Sequence, residues 1–342
     1  MKACVYRRYG GPEVLEIVER PRPVPGPGEV LVEVAVSGVN PTDWKMRRGA
    51  TAPRALPYPE IVPAQDGAGV VVEVGEGVDP ARTGERVWLW ECAWRRAGGT
   101  AQEYVTLPAD HAVLLPAQAS FDLGASIGIP ALTAHRCLTV GADSSGRLGP
   151  GVLSGCTVLV AGGAGAVGHA AIELARWSGA AVVTTVSSEE KAVLARAAGA
   201  DVVINYRTED VVARTREFVP KGVGCIVEVD SVTNAGIDQD VLAANGIVAV
   251  YASDERDLSM PVRPVMSLNA RYQFVLVYTV PPVAKSAAVE DVAAAVADGA
   301  LRVGQETGLP LHRFPLARIR EAQTAVEEGV TGKVLVDVAE PS

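Results

Sequence analysis

Residues 29–39, EVLVEVAVSGV, and residues 68–75, AGVVVEVG, alternate or run apolar over strand lengths. GERVWLW (84–90) and QEYVTLP (102–108) continue the pattern. Pro21, Pro23, Pro25, Pro27, Gly75, Gly77, Pro108 and Pro116 punctuate it. Short strands with frequent turns predict a β-rich region over residues 1–125, shaped as a partly open barrel. From residue 126 the rhythm changes. CTVLVAG (156–162), AAVVTTVS (180–187), DVVINY (201–206), CIVEVDS (225–231) and GIVAVYAS (246–253) are short Val/Ile-rich runs with helical patterns between several of them. AVGHAAIELARWSG (166–179) puts Val167, Ala171, Leu174 and Ala175 on one helical face, and EEKAVLARAAG (189–199) ends at a glycine suited to a cap. Alternating strand and helix predict an α/β region with a parallel, doubly wound sheet. QFVLVYTV (273–280) is expected as its sixth strand. Beyond Pro281-Pro282, helices are expected over 286–299 and 317–329, and a last strand over 333–339.

Composition narrows the class. With 342 residues and 48% apolar content the chain can build two domains with real cores. Its formal charge of -9 disfavours nucleic acid or anionic lipid as the main partner. The start, MKACVYRRYGG, lacks the apolar core of a signal peptide, and no apolar run reaches membrane-spanning length. Cys4, Cys92, Cys137, Cys156 and Cys225 are odd in number and widely spaced, which argues against a disulfide framework. A soluble protein of a reducing, cytoplasmic compartment is expected, without a membrane or nucleic-acid partner.

VLVAGGAGAVGHAAIELAR (158–176) carries the sharpest chemistry. Gly163, Gly165 and Gly168 fit GxGxxG, and Gly162 also allows GxxGxxG. The motif follows a predicted strand and opens a predicted helix, the setting in which glycines allow a tight turn, close approach of a pyrophosphate and close helix packing. The stretch Gly162, Gly163, Ala164, Gly165, Ala166, Val167 and Gly168 is therefore the candidate pyrophosphate loop. The second strand ends in Ser187 and Ser188 with Lys191 beyond, where an NAD site wants a carboxylate. Two hydroxyls and a cation suit the 2′-phosphate of NADPH. The alternative for the serines is a helix N-cap, and Glu189 and Glu190 then read as charges of a first helical turn.

Metal and nucleophile chemistry find little support. His111, His135, His169 and His312 pair with no cysteine or histidine at ligand spacing. No metal site is expected. Cys4 and Cys225 read as buried small hydrophobes, Cys92 as a thiol without a placed base, and His135 as either catalytic or structural.

Eight segments, in order, resemble one family from end to end: YGGPEVLEI (9–17), GVNPTDWKMRRG (38–49), AQDGAGVVVEVG (64–75), GGTAQEY (98–104), ASIGIPALTAHRCL (125–138), VLVAGGAGAVG (158–168), GADVVINYR (199–207) and TGKVLV (331–336). The chain resembles the medium-chain dehydrogenase/reductase superfamily, and within it the zinc-independent quinone oxidoreductase branch that includes zeta-crystallin. The resemblance implies a GroES-like, partly open β-barrel catalytic domain (1–125 and 281–342) and a Rossmann NADPH-binding domain (126–280). Asn40 and Gln65 stand where zinc-dependent relatives carry a Cys and a His ligand. By the same resemblance Thr133 lies near the nicotinamide. Ser187, Lys191 and Tyr206 surround the 2′-phosphate, while Ser253, Gly332 and Lys333 lie along the cofactor cleft. A homodimer through the sixth strand is implied. The sequence departs from the pattern at Lys45, Ala166, His135, Leu276 and the 141–155 loop, and several of these positions can line a substrate cleft.

The resemblance, together with these residues, implies an NADPH-dependent, metal-independent oxidoreductase that passes a hydride to a quinone or an α,β-unsaturated carbonyl. Donors near the carbonyl oxygen then lower the barrier. Asn40 is the first candidate, against a loop-bracing role. Lys45 is the second, against a solvated surface lysine. Trp44, Tyr58, His135 and Tyr278 are candidates for a flat apolar pocket, against ordinary packing. Asp43 is expected to cap the helix that follows Pro41, the alternative being an anchor for Lys45. Two other functions stay open: an enoyl reductase of a specialised metabolite, and an NADPH-binding structural or sensor protein without turnover.

Overall fold

The computed structural model describes residues 1–49, 55–141, 145–253 and 256–338. The chain forms two compact units, residues 1–129 with 311–342 and residues 130–310.

In chain order the first unit opens with strands β1 (Lys2–Val5), β2 (Glu16–Glu19) and β3 (Glu29–Val39) and helix α1 (Pro41–Arg48). β4 (Asp66–Val74), β5 (Arg86–Leu89), β6 (Tyr104–Pro108) and β7 (Ala112–Leu114) follow, then α2 (Phe121–Leu138), within which the unit ends. The second unit continues with β8 (Thr157–Ala161), α3 (Ala166–Trp177), β9 (Ala181–Val186), α4 (Glu189–Ala197), β10 (Val202–Asn205) and α5 (Val211–Phe218). It is completed by β11 (Val223–Glu228), α6 (Ser231–Val241), β12 (Leu242–Val250), α7 (Val262–Ser267), β13 (Arg271–Phe274) and α8 (Pro282–Ala297). β14 (Leu311–Pro315), α9 (Ile319–Glu327) and β15 (Lys333–Asp337) return to the first unit.

The first unit is built on a sheet in the order β14-β15-β3-β4-β5-β7, antiparallel except for β14 with β15. β3 is its spine. One edge pairs with β4 along the strand; the other takes β6 beside Glu29–Glu33 and β15 beside Val36–Val39. Alternation in EVLVEVAVSGV buries Val30, Val32 and Val34 against the core that also holds Val71, Val87, Leu89, Val105 and Val336. β3, β4 and β15 thereby bring Asn40, Asp66 and Lys333 to one place: Val39 pairs with Val334 and Gly38 with Asp66.

The second unit is a six-stranded parallel sheet in the order β10-β9-β8-β11-β12-β13. The order reverses between β8 and β11, which sets the carboxyl end of β8 at the switch point of a doubly wound sheet. α3 is buried over Gly168–Ala175, including His169 and Glu173, so it is covered more widely than the one apolar face its sequence suggested. Glu173 accepts from the backbone N–H and Nε of Arg302, both at 2.9 Å.

Three expectations are corrected. The sixth strand is Arg271–Phe274, not 273–280; Val277–Thr279 forms one tight helical turn that buries Val277 and Tyr278. A continuous apolar run carries no period that separates strand from turn. The helix expected from 286 begins at Pro282, whose fixed φ suits a first helical position. Residues 282–310 lie in the second unit, because α8 buries Ala288, Val292, Ala295 and Val296 there and its Asp291 binds His135, Arg147 and Leu148 of that unit. Residues 142–144 of the long loop and Ala339 of the expected last strand lie outside the described residues. Among the described residues no helix is long and apolar enough to cross a membrane.

Candidate functional site

The glycine turn follows β8. Gly162 takes the left-handed conformation (φ 72°), and both it and Gly163 donate backbone N–H bonds to Thr185 O, at 3.1 and 3.2 Å. The three following glycines of the motif have different reasons to be glycine. A Cβ on Gly163 would stand 2.1 Å from Thr184 Oγ1, which is itself bound to Val160 O at 2.7 Å. A Cβ on Gly168 would stand 2.3 Å from the carbonyl oxygen of Gly162. Gly163 and Gly168 are thus demanded by packing between helix and sheet. Gly165 is exposed, at an ordinary φ of -83°, and a Cβ there meets only Gly162 O, at 3.5 Å. The protein itself makes little steric demand for glycine at 165, which fits a position kept bare for an approaching ligand. α3 starts at Ala166 without a side-chain cap, so the N–H groups of its first turn point outward unclaimed by the helix.

The end of β9 supplies the second half. Asn205 pairs with Val186, and Tyr206 N–H bonds Val186 O at 3.1 Å, so the exposed Tyr206 follows directly beside Ser187. Ser188 caps α4, its hydroxyl oxygen accepting from Lys191 N–H at 3.3 Å. The hydrogen bond from Ser188 holds the Glu190 carboxyl below its ordinary pKa. Glu189 pairs with Arg196 at 2.7 Å. Both glutamates and Ser188 are thereby occupied locally. Among the described residues the Ser187 hydroxyl and the Lys191 ammonium make no hydrogen bond or ion pair. Thr133 lies buried in α2, and Ser253 is exposed beyond β12.

The first unit holds a separate cluster. Asn40 precedes α1, 3% exposed, and its N–H donates to Asp43 Oδ2 at 2.7 Å. Its side-chain Nδ2 donates to Asp66 Oδ2 at 2.6 Å, and its Oδ1 accepts from Lys333 Nζ at 2.7 Å. Lys333 is 1% exposed and also lies 3.5 Å from Asp66 Oδ2. Asp66 Oδ1 accepts from Ile129 N–H at 2.8 Å. Burial pushes the Asp43 carboxyl up, and neighbouring Asp66 adds to it. Burial likewise raises Asp66, against the pull of Lys333 and Asn40, and lowers Lys333. Two carboxyls and one ammonium in a dry site favour keeping one proton. Ala64, just before Gln65 and Asp66, is held at φ 79°, a conformation costly for alanine.

The cluster corrects the placement of Lys333. Its ammonium is buried and turned to Asn40 and Asp66, not laid along a cofactor cleft; Gly332 before it takes φ 110°. Asn40 is braced as one of its two readings held, yet its second amide hydrogen has no partner among the described residues. Asp43 accepts from Asn40 N–H at the start of α1. Lys45 is half-buried, its Nζ 5.8 Å from the Trp44 ring centre. Gln65 is bound within the protein, its Oε1 accepting from Ala93 N–H at 3.1 Å.

The pocket candidates divide. Trp44 and Tyr58 are half-buried in the first unit, and Tyr58 donates to Arg95 O. Tyr278 is buried in the second unit. His135 is corrected: it is 1% exposed and its Nε2 binds Asp291 Oδ2 at 2.8 Å, so it braces α2 against α8 instead of lining a cavity. Asp66 and Asp291 are the residues sequence reasoning missed. A carboxylate opening an otherwise apolar strand was a visible signal for Asp66; Asp291, in an alanine-rich helix, gave none.

Residues 26–117 match the alcohol dehydrogenase GroES-like domain, and residues 166–296 match the zinc-binding dehydrogenase family. A human quinone oxidoreductase is 32% identical across 98% of this chain and 97% of its own length. The chain belongs to the medium-chain dehydrogenase/reductase superfamily, in its zinc-independent quinone oxidoreductase branch. Within that superfamily an NAD-dependent alcohol dehydrogenase has a similar structure (28% identity, TM-score 0.84, covering 99% of this chain and 100% of that one). An Escherichia coli quinone oxidoreductase complexed with NADPH is similar too (26%, TM-score 0.78, 98% and 100%). The superfamily's two parts, a GroES-like domain and a Rossmann-type parallel sheet, are both present. Among the described residues no group of three His, Cys, Asp or Glu could hold a metal ion.

Proposed function

We propose that this chain is an NADPH-dependent reductase of conjugated carbonyl compounds, a quinone or an α,β-unsaturated carbonyl. The observation that carries the reading is the contrast at the glycine turn. Gly163 and Gly168 answer to packing, while Gly165 is left bare beside an uncapped helix start. Bound NADPH supplies a hydride. Gly162–Gly168 are read as holding its pyrophosphate, and Ser187, Lys191 and Tyr206 its 2′-phosphate. The end of β9 and the first turn of α4 carry a hydroxyl and an ammonium where NAD selectivity wants a free carboxylate. Thr133, Ser253 and Gly332 complete the proposed contacts. Lys333 is left out, since its ammonium is already committed.

Hydride arrival at a conjugated system puts negative charge on the carbonyl oxygen. The free amide hydrogen of Asn40 is proposed to stabilise that oxygen, with Lys45 as the second donor. Hydride plus one proton converts a quinone to its hydroquinone, or an enone to its saturated ketone. Trp44 and Tyr58 are kept as pocket candidates. The exposed side chains of Phe274, Leu276 and Met266 near the β13 edge support a homodimer formed there. Five free thiols, three of them buried, support a reducing compartment.

The test is NADPH fluorescence titration followed by steady-state turnover against a quinone panel and an enone panel. Turnover of either panel with NADPH preferred over NADH supports the reading. Fast quinone turnover with inert enones removes the specialised enoyl reductase. Tight NADPH binding without oxidation of any acceptor favours a structural or sensor protein.

A further inference from the structure

A side-chain amide can usually be turned over without changing its shape, so its donor and acceptor ends are often ambiguous. Asn40 is not ambiguous. On one side stands the Lys333 ammonium, which can only donate, 2.7 Å from Oδ1. On the other stands the Asp66 carboxylate, which accepts at 2.6 Å from Nδ2. Turning the amide over would set NH2 against an ammonium and an oxygen against a carboxylate. Asp66 is fixed in turn by Ile129 N–H on its other oxygen, and Asn40 N–H is tied to Asp43 Oδ2. Among the described residues, every part of the Asn40 amide is thus held except its second N–H.

We propose that Lys333 and Asp66 are positioning residues, which lock the Asn40 amide so that its one unclaimed N–H is presented in a fixed direction to the acceptor's carbonyl oxygen. The inference rests on the reductase reading for its purpose and on the cluster's geometry for its substance. The ammonium on Oδ1 polarises the amide and strengthens the remaining N–H as a donor. The carboxylate prevents the amide from rotating away. A donor fixed beforehand needs no reorganisation when charge develops, which is the condition under which one hydrogen bond contributes most to rate. The purchase of this rigidity is a lysine and two aspartates removed from water.

The test has two arms on the full-length chain. The first needs no turnover. In ¹H–¹⁵N spectra the Asn40 side-chain signal is assigned by its loss in Asn40→Ser. One of its two hydrogens is expected far downfield and protected from exchange, and both features should collapse in Lys333→Met. A wild-type Asn40 signal like that of a solvent-exposed amide overturns the inference, whatever the function.

The second arm is kinetic. Lys333→Met is expected to lower kcat about 100-fold or more, the scale of a lost oriented donor, while the NADPH Kd changes less than about threefold. A Kd that weakens in step with kcat makes Lys333 a cofactor contact and overturns the inference. Lys333→Gln, which keeps a donor but no charge, serves if the Met variant fails to fold, and should fall between wild type and Lys333→Met. Full kcat in a folded Lys333→Gln also overturns it. An inert wild type with the amide signal intact overturns the reductase reading while supporting the clamp.

Discussion

His135 Nε2 sits 2.8 Å from Asp291 Oδ2, with both side chains buried in the second unit. The same carboxylate accepts from Leu148 N–H at 2.6 Å and from Arg147 Nε at 2.8 Å. Burial raises the Asp291 carboxyl, but these hydrogen bonds, His135 foremost, outweigh it and hold the group below its ordinary pKa. A depressed carboxyl stabilises the fold above its unfolded pKa, and that contribution is lost as the pH falls through the folded value. Asp291→Asn leaves only one acceptor oxygen for three donors. It should cost about 3 kcal/mol near neutral pH, read from urea unfolding. The gap from wild type should shrink below about pH 4. A gap that is constant with pH refutes the assignment.

The glycine turn offers a test by contrast. Gly168→Ala drives a methyl into the Gly162 carbonyl, a backbone atom that cannot swing aside. Overpacking of that kind costs about 1–3 kcal/mol, so the thermal midpoint should drop without any ligand. Gly165→Ala meets nothing closer than 3.5 Å and should leave the ligand-free midpoint unchanged. Its loss should appear in NADPH affinity, by about tenfold, as read by fluorescence titration. If Gly165→Ala destabilises the free protein as Gly168→Ala does, the open position has no ligand role.

The two halves of the chain differ in how plainly their sequence speaks. β3 was legible to the residue, because EVLVEVAVSGV alternates and both its ends carry turn signals. The glycine turn was legible as a motif, though only coordinates separate Gly163 and Gly168, held by packing, from Gly165. The Asn40 cluster was half legible. Asn40 and Lys333 each attracted notice, but 293 positions divide them and they meet only through the pairing of β15 with β3. A pairing register is a long-range choice that no local pattern records. The structural reading of His135 could not be completed for a related reason: its partner lies 156 residues away in α8. The run 273–280 misled because an apolar edge strand and a buried apolar turn have the same composition.

Cofactor choice turns on the Lys191 ammonium in the first turn of α4, which has no partner among the described residues. Lys191→Ala should weaken NADPH about 10- to 100-fold, the range of a charge-assisted hydrogen bond to phosphate. NADH lacks that phosphate and should lose less than about threefold. Tyr206→Phe tests a hydroxyl in the same place and should act in the same direction but less strongly. Titration of both nucleotides against each variant decides. Equal losses for NADPH and NADH would remove Lys191 from the 2′-phosphate site.

Asp43 makes a prediction of opposite sign to Asp291. Burial raises its carboxyl, with Asp66 beside it. The folded state therefore holds its proton at pH values where the unfolded chain has already released it. Between the unfolded and the raised folded value the native state binds more protons, so stability falls as the pH rises, by at most about 1.4 kcal/mol per pH unit. Asp43→Asn cannot ionise, and it leaves Asp66 and Lys333 as a balanced pair while keeping an acceptor for Asn40 N–H. Its stability relative to wild type should therefore increase between about pH 5 and about pH 8. Urea midpoints of the two proteins at both pH values measure the difference directly, with all other titrating groups cancelling. A relative stability that stays level, or moves in favour of wild type as the pH rises, would mean that Asp43 is ionised in the folded protein and that the cluster beneath Asn40 carries a net negative charge.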